Sequence, residues 1–128
     1  MDLLQSMVDS VETSLNLKLF SDKKEASYHH IFKSDYVLFP MNKCKDLENF
    51  NSEVRLSDNP YPADNRPRGK DDLESVKYHR KQIKKNGYTE PIWIAKKGSR
   101  YITLDGVHRL VATYLENKRS IPAYIVSI

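Results

Sequence analysis

The residue types best suited to chemistry lie together near the C-terminal end of the chain, in the pentapeptide Asp105-Gly106-Val107-His108-Arg109. A short apolar stretch precedes it and an amphipathic pattern follows, which predicts a strand that turns into a helix at the glycine. The first N–H groups of a helix have no partner within the helix and attract anions. An acid, an imidazole and a guanidinium at such a turn indicate a phosphate site, with acid–base chemistry open to the histidine.

Each residue of this segment has a structural role to weigh beside a functional one. Asp105 either caps the helix or acts as a metal ligand or base, and the two are compatible. Gly106 allows the turn and the close approach of a phosphate, which the amides from Gly106 through Val107 to His108 would hold. For His108 we favour phosphate contact or proton transfer over an ordinary exposed histidine. For Arg109 we favour a grip on two phosphate oxygens over a surface charge.

A second basic turn lies just before a predicted helix and contains Arg66, Arg68, Gly69 and Lys70. It is either a solvated charged loop or a second phosphate contact, and these two readings remain open. As the base for an acceptor hydroxyl we name Asp64 first. Glu90 and Asp72 are the lesser candidates.

The N-terminal half of the chain offers fewer elements. Apolar residues at helical spacing predict an amphipathic helix over residues 2–17, which packs on the core or, as an alternative, forms a dimer contact. Tyr36 to Phe39 reads as a short buried strand. Residues 41–70 are rich in Asn, Asp, Pro and Lys, and we expect a loop there with a helical turn near residues 46–50.

The C-terminal half shows regular periodicity. A helix opens at Asp71 and ends near Asn86-Gly87, with Arg80 either reaching the edge of its apolar stripe or pointing at a ligand. Two strands, 91–95 and 100–104, form a hairpin. One apolar stripe of the last helix is predicted to be buried, and residues 121–126 are predicted to form a final strand. The residues of that stripe are Val107, Leu110, Val111, Tyr114 and Leu115.

Several other residues receive structural interpretations. Trp93 belongs to an apolar strand and is expected in the core. His29-His30 and His79 have no partner at metal-ligand spacing and are interpreted as structural or exposed. The pattern of exposed aromatic residues that binds single-stranded nucleic acid is not evident.

Composition limits the class of protein. The 128 residues suit one domain with a single core, 39% of them are hydrophobic and 30% are charged. No apolar run is long enough for a membrane span, and the acidic Asp2 argues against a signal peptide. Cys44 is the only cysteine, so we expect a reducing cytoplasm. The net charge of +4 fits a phosphate-bearing partner without separating nucleotide from nucleic acid.

Three segments together resemble the ParB/sulfiredoxin superfamily. Asn59-Pro60-Tyr61 with Arg66-Pro67-Arg68 is similar to one motif of ParB N-terminal domains. The segment from Asn86 to Ile94 is similar to the motif that follows it in those domains, and LDGVHRLVA is similar to their phosphate motif. The resemblance implies an α/β (α+β) fold, with a small mixed sheet and flanking helices in a single domain over residues 36–128. Residues 1–35 would form an N-terminal helical extension.

The resemblance also implies a range of functions. Sulfiredoxins carry a reactive cysteine where this chain has Val107, so sulfinic acid reduction is disfavoured. ParB proteins continue into a DNA-reading domain, and this chain stops at Ile128, so centromere binding is disfavoured too. The first hypothesis is a small-molecule kinase or nucleoside triphosphatase that uses a nucleoside di- or triphosphate and Mg²⁺ or another divalent cation near Asp105. A metal-dependent nuclease or nucleic-acid-binding protein, and a non-catalytic regulator, are the alternatives, and the oligomeric state stays open.

Overall fold

The computed structural model describes residues 3–19, 36–50 and 68–128, which form three α-helices and four β-strands. The first described part contains helix α1, and the second contains strand β1 and a short 3-10 helix. Helices α2 and α3 and the remaining strands belong to the third part. In chain order the bounds are α1 Leu3–Leu15, β1 Val37–Pro40, the 3-10 helix Met41–Asp46, α2 Lys70–Asn86, β2 Ile92–Lys97, β3 Arg100–Asp105, α3 Val107–Leu115 and β4 Ser120–Ser127.

The four strands form one mixed sheet in the order β1-β4-β2-β3. Strands β2 and β3 pair as an antiparallel hairpin, and β1 pairs antiparallel with β4. Strand β4 runs parallel to β2, with Ile94 beside Ile125, because α3 carries the chain back across the sheet. The small mixed sheet with flanking helices confirms the predicted fold class.

Alternation of side chains divides the sheet into two buried faces. Ile92, Ile94, Ile121 and Ala123 point to the face that packs against the helices. The opposite face carries a smaller cluster in which the rings of Trp93 and Tyr124 lie 4.6 Å apart. Trp93 is 1% exposed, so its predicted place in the core is confirmed. Packed side chains therefore cover both faces of the sheet and hold the turns at its edge in place.

Helix α2 begins and ends as its sequence predicts. The carboxylate of Asp72 accepts from the N–H of Gly69 (2.6 Å), which caps the first turn. Gly87 ends the helix in the left-handed region, with φ of 89°, and its N–H donates to the carbonyl of Ile83. The hairpin that follows is also confirmed, although its turn is shorter than predicted and consists of Gly98 and Ser99.

Three sequence-based expectations are wrong in detail. The strand predicted as buried at Tyr36 to Phe39 lies at Val37–Pro40, and of its residues Phe39 alone is buried. The helical turn lies at Met41–Asp46 rather than near residues 46–50, because the segment after it pairs with the sheet instead. Glu48 forms a parallel bridge with Ile102, and its backbone bonds both Tyr101 and Thr103. This contact covers the outer edge of β3. A local pattern cannot reveal such a pairing, because its partner lies more than fifty residues away.

The buried face of α3 is also broader than a single stripe. Tyr114, predicted as buried, is 37% exposed, whereas Ala112 and Thr113 are buried. Helix α3 lies between α1, α2 and the sheet, so side chains on more than one flank lose contact with water. The Thr113 hydroxyl donates back to the carbonyl of Arg109 (2.7 Å), which satisfies it inside the core.

Helix α1 packs into the same core as the sheet. Val8, Val11 and Leu15 are buried in the cluster that contains Ile94 and Leu110. The predicted boundary between residues 35 and 36 stays a prediction. Within the described ranges, none of the helices has the length and apolar character that a membrane span requires.

Candidate functional site

The turn from β3 into α3 is built around Gly106. This residue has φ of 108°, a conformation that side-chain-bearing residues rarely adopt, and it precedes the first turn of α3. A Cβ atom there would lie 2.6 Å from Cγ2 of Ile92. The carbonyl of Gly106 accepts from Leu110, so the helix starts at once and its first N–H groups point past the strand end. The glycine is needed for both the turn and the packing.

A buried carboxylate positions the histidine of this turn. Asp72 in the first turn of α2 is 0% exposed, and its Oδ1 lies 2.9 Å from Nε2 of His108. Its second oxygen accepts from Gly69, as described above. Because a carboxylate accepts hydrogen bonds, Nε2 of the imidazole carries the proton, and Nδ1 is the nitrogen that remains for other chemistry. The pair fixes both the orientation and the tautomer of His108.

Arg109 lies on the other flank of the α3 N-terminus. One guanidinium nitrogen donates to the carbonyl of Pro91 (2.6 Å), and another lies 4.0 Å from Asp105. The side chain is 19% exposed. It is therefore more buried than a surface charge on the side of α3 opposite the apolar stripe would be. The carbonyl anchors the guanidinium while leaving further N–H groups for an anion, since the group carries five.

Asp105 was predicted as a metal ligand, and the residues around it show whether a metal ion could be held there. It is the last residue of β3, lies opposite Trp93 in the hairpin and is partly exposed. Across the three described ranges, no group of three or more His, Cys, Asp or Glu side chains converges in a way that would hold a metal ion. Within the described ranges, Asp105 would therefore hold Mg²⁺ only if further ligands, such as phosphate oxygens, came from a bound molecule.

The second basic turn is directed at a different part of the molecule. Arg68 pairs with Asp9 and with Glu12 of α1 and is 16% exposed. Gly69 uses its N–H to bond Asp72, and Lys70 is exposed at the start of α2. Arg66 and Asp64 lie outside the described residues. The structure thus brings Gly69 close to His108 through Asp72 but turns the Arg68 guanidinium towards α1.

A cavity of about 320 Å³ adjoins the Arg109 side of the turn. Three tyrosines around it are largely exposed: Tyr36 by 50%, Tyr78 by 58% and Tyr88 by 63%. We call it the tyrosine cavity. Its described lining contains no lysine or arginine. Its full lining is Tyr36, Tyr78, His79, Gln82, Asn86, Tyr88, Thr89, Glu90, Pro91 and Pro122.

His79 in the wall of the tyrosine cavity is neutral at physiological pH. Burial lowers the pKa of His79 to about 4, with smaller contributions from the positive charges of Arg109 and His108. Its ring packs edge-to-face on Tyr78 at 5.2 Å. The cavity adjoins the α3 turn, because Pro91 lines it and accepts from Arg109. The wall offers neutral hydrogen-bonding groups and aromatic faces, together with the carboxylate of Glu90.

The tyrosine cavity is the main feature that sequence reasoning missed. Tyr78, Gln82 and Asn86 lie on one face of α2 at helical spacing, and Tyr88 follows soon after. An aromatic residue on the polar face of a helix is the pattern that would have revealed it. Among the other candidate residues, Glu90 lines this cavity. In the described part of the chain, Arg80 donates to Glu116 (2.6 Å), and its side chain is not aimed at a ligand site.

Cys44 has the properties of a structural thiol. It is fully buried, and its sulfur contacts the carbonyl of Pro40 and the sulfur of Met41. Burial raises the pKa of Cys44 to about 12, so the thiolate is scarce at neutral pH. It does not replace the reactive cysteine that is missing at position 107.

The fold is an α/β domain in which strand β3 turns into helix α3 at a glycine with positive φ. The sequence model of the ParB N-terminal domain matches residues 46–128. The chain belongs to the ParB N-terminal domain family. A comparison with curated proteins gave no match.

Solved structures with a similar fold come from proteins with different functions. Sulfiredoxin from Arabidopsis thaliana is 19% identical with a TM-score of 0.48, and the match covers 74% of this chain and 88% of that one. A free serine kinase in complex with AMP is 16% identical (TM-score 0.47), with coverage of 74% and 32%. A C-terminally truncated ParB from Caulobacter crescentus, complexed with CTP-gamma-S, is 16% identical (TM-score 0.48), with coverage of 74% and 46%. The chain thus spans about a third of the kinase and just under half of that ParB.

Proposed function

We propose that the protein binds a nucleoside di- or triphosphate and uses it in phosphoryl transfer to a small-molecule acceptor or to water. The observation that carries this proposal is the buried Asp72 carboxylate that fixes His108 at the first turn of α3, next to Arg109. A buried acid that orients a histidine at a helix N-terminus is a costly arrangement for stability alone. It is well suited to hold and protonate an oxyanion.

The phosphate group would rest on the first N–H groups of α3. The amides of Val107, His108 and Arg109 have no partner within the helix, and the helix dipole favours a negative charge there. The remaining guanidinium N–H groups of Arg109 would donate to the same oxygens, and Nδ1 of His108 would donate to them from the other side once it has taken up a proton. Gly106 allows the close approach, since no Cβ stands in front of the turn.

The nucleoside would occupy the tyrosine cavity. Its volume is at the lower end of the range for ligand sites, which suits one ring system with a sugar. Exposed phenol rings stack on base faces, and the amides of Gln82 and Asn86 can bond to base edges. Among the described residues, its lining has no lysine or arginine and includes the Glu90 carboxylate, which, with a neutral His79, makes this cavity unsuited to the phosphates themselves. The two ends of a nucleotide thus have different and adjoining environments.

In the transfer step, an acceptor oxygen would form a bond to the terminal phosphorus while the bond to the bridging oxygen breaks. The nucleotide leaves with one phosphate fewer, and a base takes the acceptor proton. His108 through Nδ1, or Asp64, would serve as that base. A divalent cation bound with the nucleotide beside Asp105 would offset charge on the phosphate oxygens.

Calorimetry with ATP, ADP, CTP and GTP, each with and without Mg²⁺, tests binding. We expect at least one nucleotide to bind, and His108→Ala and Tyr78→Ala each to weaken it by about ten-fold. Lys118→Ala, an exposed substitution outside both regions, serves as the control and should leave affinity unchanged. No binding of any of the four at about millimolar concentration, which corresponds to roughly 4 kcal/mol, would exclude the proposal.

A further inference from the structure

A second cavity lies between α1 and α2, away from the tyrosine cavity. It measures about 340 Å³ and has an apolar floor and a basic rim. The floor consists of Leu3, Leu4 and Met7 of α1. The rim comes from α2, and we call the whole cavity the lysine groove. The rim residues are Glu74, Lys77, Arg80, Lys81 and Lys84.

The charges of the lysine groove are unbalanced. Arg80 is neutralised by Glu116, and its guanidinium also lies 4.0 Å from the Met7 sulfur. Lys77, Lys81 and Lys84 are exposed, and in the described part of the chain no carboxylate pairs with them. By contrast, Arg68 and Arg100 elsewhere in the molecule are both paired with acids. Among the described lining residues Glu74 is the one carboxylate, so the three lysines leave the groove with a net positive charge whose complement is a set of carboxylates on another molecule.

The floor of the groove is the second, independent observation. Leu3 is 75% exposed, the highest value among the large hydrophobic residues exposed in the described ranges. Leu4 packs against the core beside it, so the apolar surface is fixed rather than freely mobile. Burial of the exposed Leu3 side chain by a partner would be favourable, since it removes apolar surface from water next to the three lysines.

We propose that the lysine groove binds an acidic amphipathic helix of a partner protein. Apolar side chains of that helix would enter between α1 and α2, and its acidic residues would face Lys77, Lys81 and Lys84, which lie one helical turn apart. A flat membrane surface does not fill a concave cavity. Nucleic acid would use the lysines but leave the leucine floor uncovered. This proposal is independent of nucleotide binding.

The probe is a synthetic peptide of about 16 residues, long enough to be helical, with leucines on one face, glutamates elsewhere and a fluorescein label. Fluorescence anisotropy with the full chain should give a Kd on the order of 10 to 100 μM. Exchanging all glutamates for lysines in the peptide should abolish binding.

Variants separate the two parts of the groove. Lys77→Glu with Lys81→Glu should weaken the peptide by about ten-fold or more, and Leu3→Ser by about five-fold. The matched control, Lys97→Glu with Lys118→Glu, carries the same change of charge outside the groove and should alter the Kd less than about two-fold. Circular dichroism checks that all variants fold.

Three outcomes would overturn the proposal. They are no peptide binding at about millimolar concentration, an equal loss in the control variant, and no effect of Leu3→Ser. Phosphatidylserine vesicles and duplex DNA are tested in parallel. If either binds through Lys77 and Lys81 while the peptide does not, the occupant is an anionic surface or polymer and not an acidic helix.

Discussion

At the scale of single residues, Asp72 links two elements that are far apart in sequence. One of its oxygens caps α2 through Gly69, and the other holds His108 at the start of α3. The residue thus has a structural role and a positioning role at once. A substitution that preserves one and changes the other distinguishes them.

Asp72→Asn is that substitution. The amide oxygen can still accept from Gly69, whereas the amide nitrogen now faces His108 and requires Nε2 to accept. We expect the imidazole proton to move to Nδ1, which removes the lone pair that would take the acceptor proton, so that phosphoryl transfer slows by about ten-fold or more while the free energy of unfolding falls by only about 1 kcal/mol. Two-bond nitrogen–proton couplings in NMR spectra report the tautomer. An unchanged tautomer would show that the carboxylate does not set the state of His108.

Gly106→Ala tests the packing of the α3 turn. The new Cβ would lie 2.6 Å from Ile92 Cγ2 and 2.9 Å from its Cβ, at a φ of 108° that alanine rarely adopts. Overpacking and backbone strain together should lower the free energy of unfolding by about 2 to 5 kcal/mol. Gly98→Ala is the control, because Gly98 has φ of 62° and no atom within 4 Å of the new Cβ. It should cost about 1 to 2 kcal/mol, and equal losses at both sites would contradict the packing argument.

His79 gives the protein a pH dependence of known sign. Its pKa is lowered to about 4 by burial and by the charges of Arg109 and His108, so the unfolded chain binds a proton more readily than the folded one. Stability therefore falls as pH decreases from about 6.5 to about 4 and is unaffected by this group at pH 7. Partial exposure limits the loss to about 1 to 2 kcal/mol.

The difference between wild type and His79→Gln isolates this contribution from other titrating groups. Urea unfolding at about pH 7 and about pH 4.5 should show a smaller loss of stability in the variant. Parallel losses in the two proteins would mean that His79 is protonated in the folded state at low pH and that its environment is less buried than described.

At the scale of elements, Arg68 connects the start of α2 with α1. It pairs with Asp9 and Glu12, and Glu12 also accepts from the N–H of Leu19 (2.6 Å). Arg68→Ala should reduce the free energy of unfolding by about 1 to 2 kcal/mol and speed amide hydrogen exchange in α1.

Arg100→Ala is the matched control for this prediction. Arg100 also holds a carboxylate, Glu48, and its hydrogen bonds lower the pKa of that group, but both side chains are about 40% exposed. Loss of such a surface pair should change stability by less than about 1 kcal/mol and leave α1 exchange unaltered. Faster exchange of α1 in this variant would contradict the assignment of the contact to Arg68.

The elements with local sequence patterns were predictable, and those defined by distant pairing were not. The Asn86-Gly87 stop of α2 and the β2–β3 hairpin follow from glycine, turn residues and periodicity. The bridge at Glu48 depends on residues across the sheet, so no pattern near residue 48 identifies it. The breadth of the α3 core face likewise depends on three neighbouring elements, and this is why Tyr114 is partly exposed and Thr113 is buried.

The residues of the candidate site fall into the same two groups, those with a local sequence pattern and those defined by contacts between distant residues. Asp105 to Arg109 is contiguous, so its candidate chemistry was readable from residue types alone. The Asp72–His108 contact joins residues 36 positions apart, and an acid in the first turn of a helix is equally explained by the helix dipole. The described lining of the tyrosine cavity comes from three separate parts of the chain, namely Tyr36, residues 78–91 and Pro122. Its composition becomes visible only after folding has brought Tyr36 beside Tyr78 and Tyr88.

At the scale of the whole molecule, the charged and aromatic surfaces are separated. The α3 turn and the tyrosine cavity adjoin each other through Pro91, which lines the cavity and accepts from Arg109. The lysine groove is formed by α1 with another part of α2. A nucleotide and a protein partner can therefore occupy the molecule together, and α2 contributes to both surfaces.

The most direct test of the proposed function is an NMR titration of the nitrogen-15-labelled protein with nucleoside triphosphates. Phosphate bound at the α3 turn should produce the largest amide shifts at Val107, His108 and Arg109, with accompanying ring-proton shifts of Tyr78 and Tyr88. Shifts confined to the lysine groove, or none at about millimolar nucleotide, would contradict the account.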